Sequence, residues 1–192
     1  MTAVPAPRSV YDALLEVPDH QVGEVIAGEL VVSPRPAGAH ATVTMALGSG
    51  VYTKSDRGGR GGGWWIREEP ELHLGGETSL ADVLVPDLAG WRRERLPRYP
   101  ATPAVTLVPD WVCEVLSPGS AARDRGIKAA RYLHHGLAWY WLVDPAARRV
   151  EVMRAEAGSW VPVATASNRQ RVKLPPFEDV LLRLSTWWLE PA

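Results

Sequence analysis

One acid inside an otherwise apolar run constrains this chain more than any other feature. Trp111-Val112-Cys113-Glu114-Val115-Leu116 reads as a buried strand, and Glu114 interrupts it. Desolvating an ionised carboxylate is costly unless the group is paired or bound to a cation. A second acid, Asp87, closes the apolar run Val83-Leu84-Val85 immediately after Pro86. Two acids at the ends of neighbouring strands offer the oxygen ligands that Mg²⁺ or Mn²⁺ requires. Such an ion can polarise a phosphoryl oxygen and acidify an attacking water.

A third group follows directly. Ser117-Pro118-Gly119 ends the Glu114 strand, and a helix is predicted from Ser120 to His135, stopped by Gly136. Asp124, Lys128, then Arg131 or Tyr132, with His135 one turn on, fall along one face of it. That face can bring the Lys128 ammonium over the strand end, where it would orient a water or stabilise developing charge. Taken singly, Asp87 is also a turn residue, Glu114 an inner salt-bridge partner and Lys128 a partner for Asp124. The two readings balance on the residues alone.

Around this centre the chain alternates strands and helices. Ser9 with Asp12 opens a short helix before Pro18, and Pro5 and Pro7 punctuate the start. Glu24–Val32 is predicted as a hairpin turning at Gly28, and His40–Tyr52 as a helix with Val43, Leu47 and Val51 on one face. Arg57–Gly63, with five glycines, is a loop, and Trp64–Leu74 a single strand. Ala81–Val85 is a short strand, and a proline-rich connection leads on to Asp110. Ala138–Val143 is a central strand, paired through an Asp144-Pro145 turn with Arg149–Arg154. Trp160–Val163 and Phe177–Leu184, with Trp187-Trp188, complete the order. It implies one α/β domain over residues 1–192, a mixed sheet flanked by helices.

Composition adds limits. The chain has 192 residues, long enough for a sizeable core, and no apolar run the length of a membrane span. No basic segment followed by an apolar one opens it, so a cytoplasmic protein with no membrane partner is expected. Cys113, the only cysteine, excludes an internal disulfide or a cysteine-built zinc site and reads as core. A net charge of −1 gives no global attraction to nucleic acid, so contacts must come from local patches such as Arg92-Arg93-Glu94-Arg95 and Arg123–Arg131. Arg57–Gly63 lacks the Gly-Lys-Ser/Thr ending of a phosphate-binding loop, and Gly48-Ser49-Gly50 lies in a helix rather than a nucleophile elbow. A two-carboxylate glycosidase would need a larger carbohydrate cleft and a longer chain.

Four pieces in this order carry a resemblance. They are Pro86-Asp87, then Glu114-Val115-Leu116-Ser117-Pro118, then Asp124-Arg125-Gly126-Ile127-Lys128, then Trp139-Tyr140-Trp141-Leu142-Val143-Asp144-Pro145. With Gly28-Glu29-Leu30, Ser33-Pro34 and His40, the stretch from 9 to 155 resembles the bacterial putative restriction endonuclease domain family of the PD-(D/E)XK nuclease superfamily. The resemblance implies a restriction-endonuclease-like fold and a metal-dependent endonuclease cleaving DNA phosphodiesters. Asp87 and Glu114 would hold Mg²⁺ or Mn²⁺, and Lys128 would complete the catalytic trio. The superfamily's usual lysine position, two after the second acid, is Leu116 here; the family instead places its lysine on the following helix, where Lys128 stands. Ile127 replaces an acid common in relatives, and Ala27 another. Glu24, Glu29 and His40 are subsidiary candidates for the site. Arg92, Arg93 and Arg131 are candidates for backbone phosphates. The alternative is a nucleic-acid-binding or regulatory domain that keeps the fold without turnover. Tryptophans and open sheet edges make a homodimer an expectation.

Overall fold

The computed structural model describes residues 9–35, 38–56, 63–76 and 82–189. Ser9 caps α1 (Val10–Leu14): its hydroxyl accepts from Asp12 N at 3.1 Å, and Asp12 Oδ2 accepts from Ser9 N at 2.9 Å. β1 (Gln21–Ile26) and β2 (Glu29–Pro34) form the expected hairpin. Its turn residues Ala27 and Gly28 have φ of 53° and 85°, the twist a two-residue connection needs. α2 (Ala39–Val51) buries Val43, Leu47 and Val51 and continues into a π-helical turn, Tyr52–Asp56. Pro5, Pro7, Ala81 and the Arg57–Gly62 part of the glycine loop lie outside the described residues.

The remaining strands are β3 (Trp64–Glu68), β4 (Glu71–Leu74), β5 (Asp82–Leu84), β6 (Leu88–Arg92), β7 (Ala104–Val105) and β8 (Trp111–Val115). A helical run over 121–134, here α3, precedes β9 (Trp139–Asp144), β10 (Arg149–Glu156), β11 (Ser159–Ser167), β12 (Arg171–Leu174) and β13 (Phe177–Arg183). They build a six-stranded sheet in the order β11-β10-β9-β8-β6-β3, a five-stranded sheet β2-β1-β5-β4-β7, and the β12-β13 ribbon. Both larger sheets are mixed, since β8 runs parallel to β9 and β4 parallel to β7. No helix among the described residues is long and apolar enough to cross a membrane.

Period-two alternation fixes where the acid of β8 points. Trp111, Cys113 and Val115 pack with α2, β13, Trp141 and Phe177 on one face. Val112 and Leu116 pack on the other, with Tyr132 of α3 and Ile26, Leu72 and Leu84 of the five-stranded sheet. Glu114 shares that second face. Cys113 is buried and reduced, a core residue as expected.

Two expectations fail, and their failure builds the site. Trp64–Leu74 is not one strand: Glu69, at φ 43°, and Pro70 break it, so β3 joins the six-stranded sheet and β4 the five-stranded one. Leu88–Arg92, expected within a connection, is a buried strand between β8 and β3. The chain therefore leaves one sheet at Glu69 and returns at Val85–Asp87, and Glu69 N donates to Asp87 O at 3.1 Å to tie the crossings together. The β6 sequence hid its nature behind Gly90, which is there because nothing larger fits. A Cβ at Gly90 would lie 3.0 Å from Ile66 Cδ1, 3.1 Å from Trp111 Cε3 and 3.3 Å from Trp64 Cε3. Gly90→Ala is expected to overpack this layer and cost about 1–3 kcal/mol in denaturant unfolding; an unchanged midpoint would contradict the packing described.

Candidate active site

A cleft of about 420 Å³ opens where the two sheets part. Its floor draws on both sheets, on the crossing between them and on α3. Glu24 comes from β1, Asp87 from the crossing before β6, Glu114 from β8, and Asp124 and Lys128 from α3; all five are buried.

The side chains are held from several directions. Asp87 Oδ2 accepts from Val115 N at 2.6 Å, and Oδ1 accepts from His40 Nε2 at 2.7 Å. Glu114 Oε1 accepts from Tyr132 OH at 2.8 Å and lies 2.8 Å from Lys128 Nζ. The same ammonium is 2.8 Å from Glu24 Oε1, which also accepts from Val85 N at 2.9 Å. Lys128 thus bridges an acid of each sheet. Burial by itself would favour its neutral form, but Glu114, Glu24 and Asp124 overcome this and hold its pKa above the ordinary lysine value. Burial pushes the Glu114 carboxyl well above the usual carboxylate range, against the pull of Lys128 and with Asp124, Asp87 and Glu24 adding to the rise. Asp124 is raised for the same first reason, opposed by Lys128 and a hydrogen bond from Ser120.

A local irregularity in α3 sorts its residues. The helix takes a π turn at Asp124–Lys128. Asp124, Lys128 and Tyr132 then face the floor, whereas Arg131 and His135 face elsewhere. Asp82, fully buried, accepts from Arg131 Nε and His135 Nε2 at 2.6 Å each and from Ala27 N at 2.7 Å. Burial alone would raise the Asp82 pKa, but the bonds from His135, Ala27 N and Arg131 outweigh it and hold the carboxyl below its ordinary value. A depressed carboxylate contributes stability above its unfolded pKa of about 3.9 and loses it as pH falls through the folded value. Asp82→Asn should therefore cost about 3–5 kcal/mol at neutral pH by stranding Arg131, with the gap closing in acid. Urea unfolding of both proteins across that range checks it, and a gap independent of pH would refute the assignment.

The structure thus gathers Asp87, Glu114, Lys128, Glu24 and His40 in one place. Glu29 does not join them; it is exposed beside the hairpin turn. Arg92 and Arg93 lie at the far end of β6 from Asp87, where Arg92 covers the Trp64 ring and Arg93 pairs with Asp56 at 2.6 Å. Arg131 is committed to Asp82. Asp124 and Tyr132 belong to the floor although sequence reasoning assigned them no role there. The i, i+4 spacing of Asp124 and Tyr132 about Lys128 was the available signal.

Whether a divalent ion suits this floor is a question of donor chemistry. Carboxylate oxygens of Asp87, Glu114 and Asp124 border the cleft, hard ligands of the kind Mg²⁺ and Mn²⁺ take. Four buried acids stand against one buried ammonium, and a cation beside them would favour their ionised forms. Among the described residues no group of three or more His, Cys, Asp or Glu side chains is arranged to hold a metal ion. Mg²⁺ typically asks for less, one or two carboxylates completed by water and substrate oxygens. Asp87 and Glu114 would meet that smaller demand by ligand type.

Sheets, cleft and helical lysine together define a protein of the restriction-endonuclease-like fold. Its fold matches the crystal structure titled as a putative nuclease belonging to DUF820 from Anabaena variabilis ATCC 29413, with a TM-score of 0.73 and 22% identity over 94% of this chain and 97% of that one. No curated protein matches the chain. The chain belongs to the Uma2 family, whose description is Putative restriction endonuclease, and the match runs over residues 11–185.

Proposed function

We propose that this protein is a Mg²⁺- or Mn²⁺-dependent endonuclease that hydrolyses phosphodiester bonds of DNA. The observation that carries the reading is Asp87, just before β6, beside Glu114 of the neighbouring β8, with the Lys128 ammonium 2.8 Å from Glu114. Asp87 and Glu114, with the Val115 carbonyl as a further donor, would hold the ion. When bound, such an ion polarises a phosphoryl oxygen and lowers the pKa of a coordinated water. The protein's own groups do the rest. His40 and the Val115 amide fix both oxygens of Asp87, and Tyr132 fixes Glu114, so the acids meet a substrate already oriented. Lys128, kept charged by its carboxylates, orients the attacking water and offsets charge gathering on the phosphoryl oxygens.

Nicking of supercoiled plasmid with Mn²⁺ tests this reading. Wild type is expected to nick, and Asp87→Ala and Lys128→Ala to be inactive; equal behaviour of all three would remove the assignment. A second reading, a nucleic-acid-binding domain without turnover, draws on the same ammonium. Lys128 already neutralises Glu24 and Glu114, as a cation would. Calorimetric Mn²⁺ titration separates the two: saturable binding lost in Asp87→Ala supports the nuclease, and no binding favours the other.

A further inference from the structure

Cations along the cleft are not equally occupied. Lys128 is shared between Glu24 and Glu114, and Arg35 is paired with Glu69 at 2.6 Å while its Nε donates to the Asp19 carbonyl. Arg123, just before Asp124 on α3, also lines the cleft but makes no ion pair among the described residues. Its Nη2 donates to Ser33 Oγ of β2 at 3.1 Å, and its Nε is buried without a partner. A buried donor with no acceptor is a standing cost, and a guanidinium offers five donors in a fixed fork. The side chain is therefore held by β2 at the wall of the cleft that it lines, and its guanidinium carries unmet donor capacity.

We propose that Arg123, braced by Ser33, is the receptor for a non-scissile phosphate of a nucleic-acid strand whose neighbouring phosphodiester lies over the carboxylate floor. The proposal rests on the nuclease reading above and deepens it. A phosphate offers two oxygens side by side, which the guanidinium fork of a cleft-lining arginine can meet with two parallel N–H bonds. The surrounding acids argue for a strand over a free anion. An isolated phosphate beside Glu24, Asp87, Glu114 and Asp124 meets mostly repulsion. With a divalent ion on the floor, as the nuclease reading has it, a strand would engage the Arg123 receptor and that ion together, so its second contact is intramolecular.

The test is binding in EDTA, where no cleavage occurs, of a fluorescein-labelled single-stranded oligothymidylate to the full chain, read by anisotropy over a salt series. Wild type is expected to bind more weakly as salt rises. Arg123→Met should bind about tenfold more weakly, and its slope of log K against log salt should be shallower by about 0.7, one phosphate contact on a single strand. Arg123→Lys should recover most of the slope but not the full affinity, because charge returns without the fork. A purely structural role for Arg123 would shift the thermal midpoint and leave the slope alone. Inorganic phosphate at matched ionic strength should compete poorly; displacement as effective as by unlabelled oligothymidylate would overturn the strand assignment. Unchanged affinity and slope in Arg123→Met, or no binding by wild type, would overturn the receptor itself. The nuclease reading fails separately, on absent nicking by wild type with Mn²⁺.

Discussion

Asp87→Asn is expected to lower Mn²⁺-supported plasmid nicking by about 10³-fold or more, while the protein stays folded. The substitution keeps shape and removes charge, and the geometry says why that is enough. Both Asp87 oxygens accept, one from the Val115 amide and one from His40 Nε2. An amide has one acceptor oxygen, so one of these donors is left facing an NH₂ group. That loss should cost about 1–3 kcal/mol of stability, a modest fall in thermal midpoint beside a near-complete loss of cleavage. His40→Ala makes an informative contrast. It leaves the carboxylate but frees Oδ1, and an outer partner of this kind is worth about 10–100-fold. An Asp87→Asn protein that nicks at the wild-type rate would end the metal-site assignment.

Lys128→Met carries the largest expected effect on stability. The ammonium lies between Glu24 and Glu114, and all three side chains are within 4% of complete burial. Removing it strands two buried carboxylates, for which about 3–5 kcal/mol is the usual cost. At about 2–4 °C per kcal/mol for a chain of this size, the thermal midpoint should fall by about 6–20 °C. A double variant decides whether the cause is charge or volume. If it is charge, adding Glu24→Gln to Lys128→Met restores part of the stability, because one uncompensated acid disappears. If the double variant is simply worse than either single one, Lys128 acts through packing and the bridge between the sheets is not electrostatic. Calorimetric unfolding of the four proteins settles the comparison.

Much of this site is legible in the sequence. Glu114 is conspicuous because a charge inside Trp111–Leu116 contradicts its surroundings, and Lys128 because a helix repeats every 3.6 residues. The hairpin at Gly28, the Ser9 cap and the buried face of α2 are likewise local matters of turn chemistry and spacing, settled by residues a few positions apart. What failed was also local in cause. The strand Leu88–Arg92 reads as a connection since Gly90 lowers its β propensity, and only the tryptophan and isoleucine packed against Gly90 explain that residue. Trp64–Leu74 reads as one strand since alternation does not reveal which sheet each half joins.

The sequence by itself determined which groups carry charge into the interior: Asp87, Glu114 and Lys128, each conspicuous against its own neighbours. Only the tertiary structure decided how those groups meet. It turned α3 through a π turn so that Asp124 and Tyr132 stand with Lys128 while Arg131 is spent on Asp82. It brought Glu24 from ninety positions before Glu114 to within reach of the same ammonium. Contacts of that kind depend on where two sheets part company, and the chain specifies that through packing over long separations rather than through any local pattern.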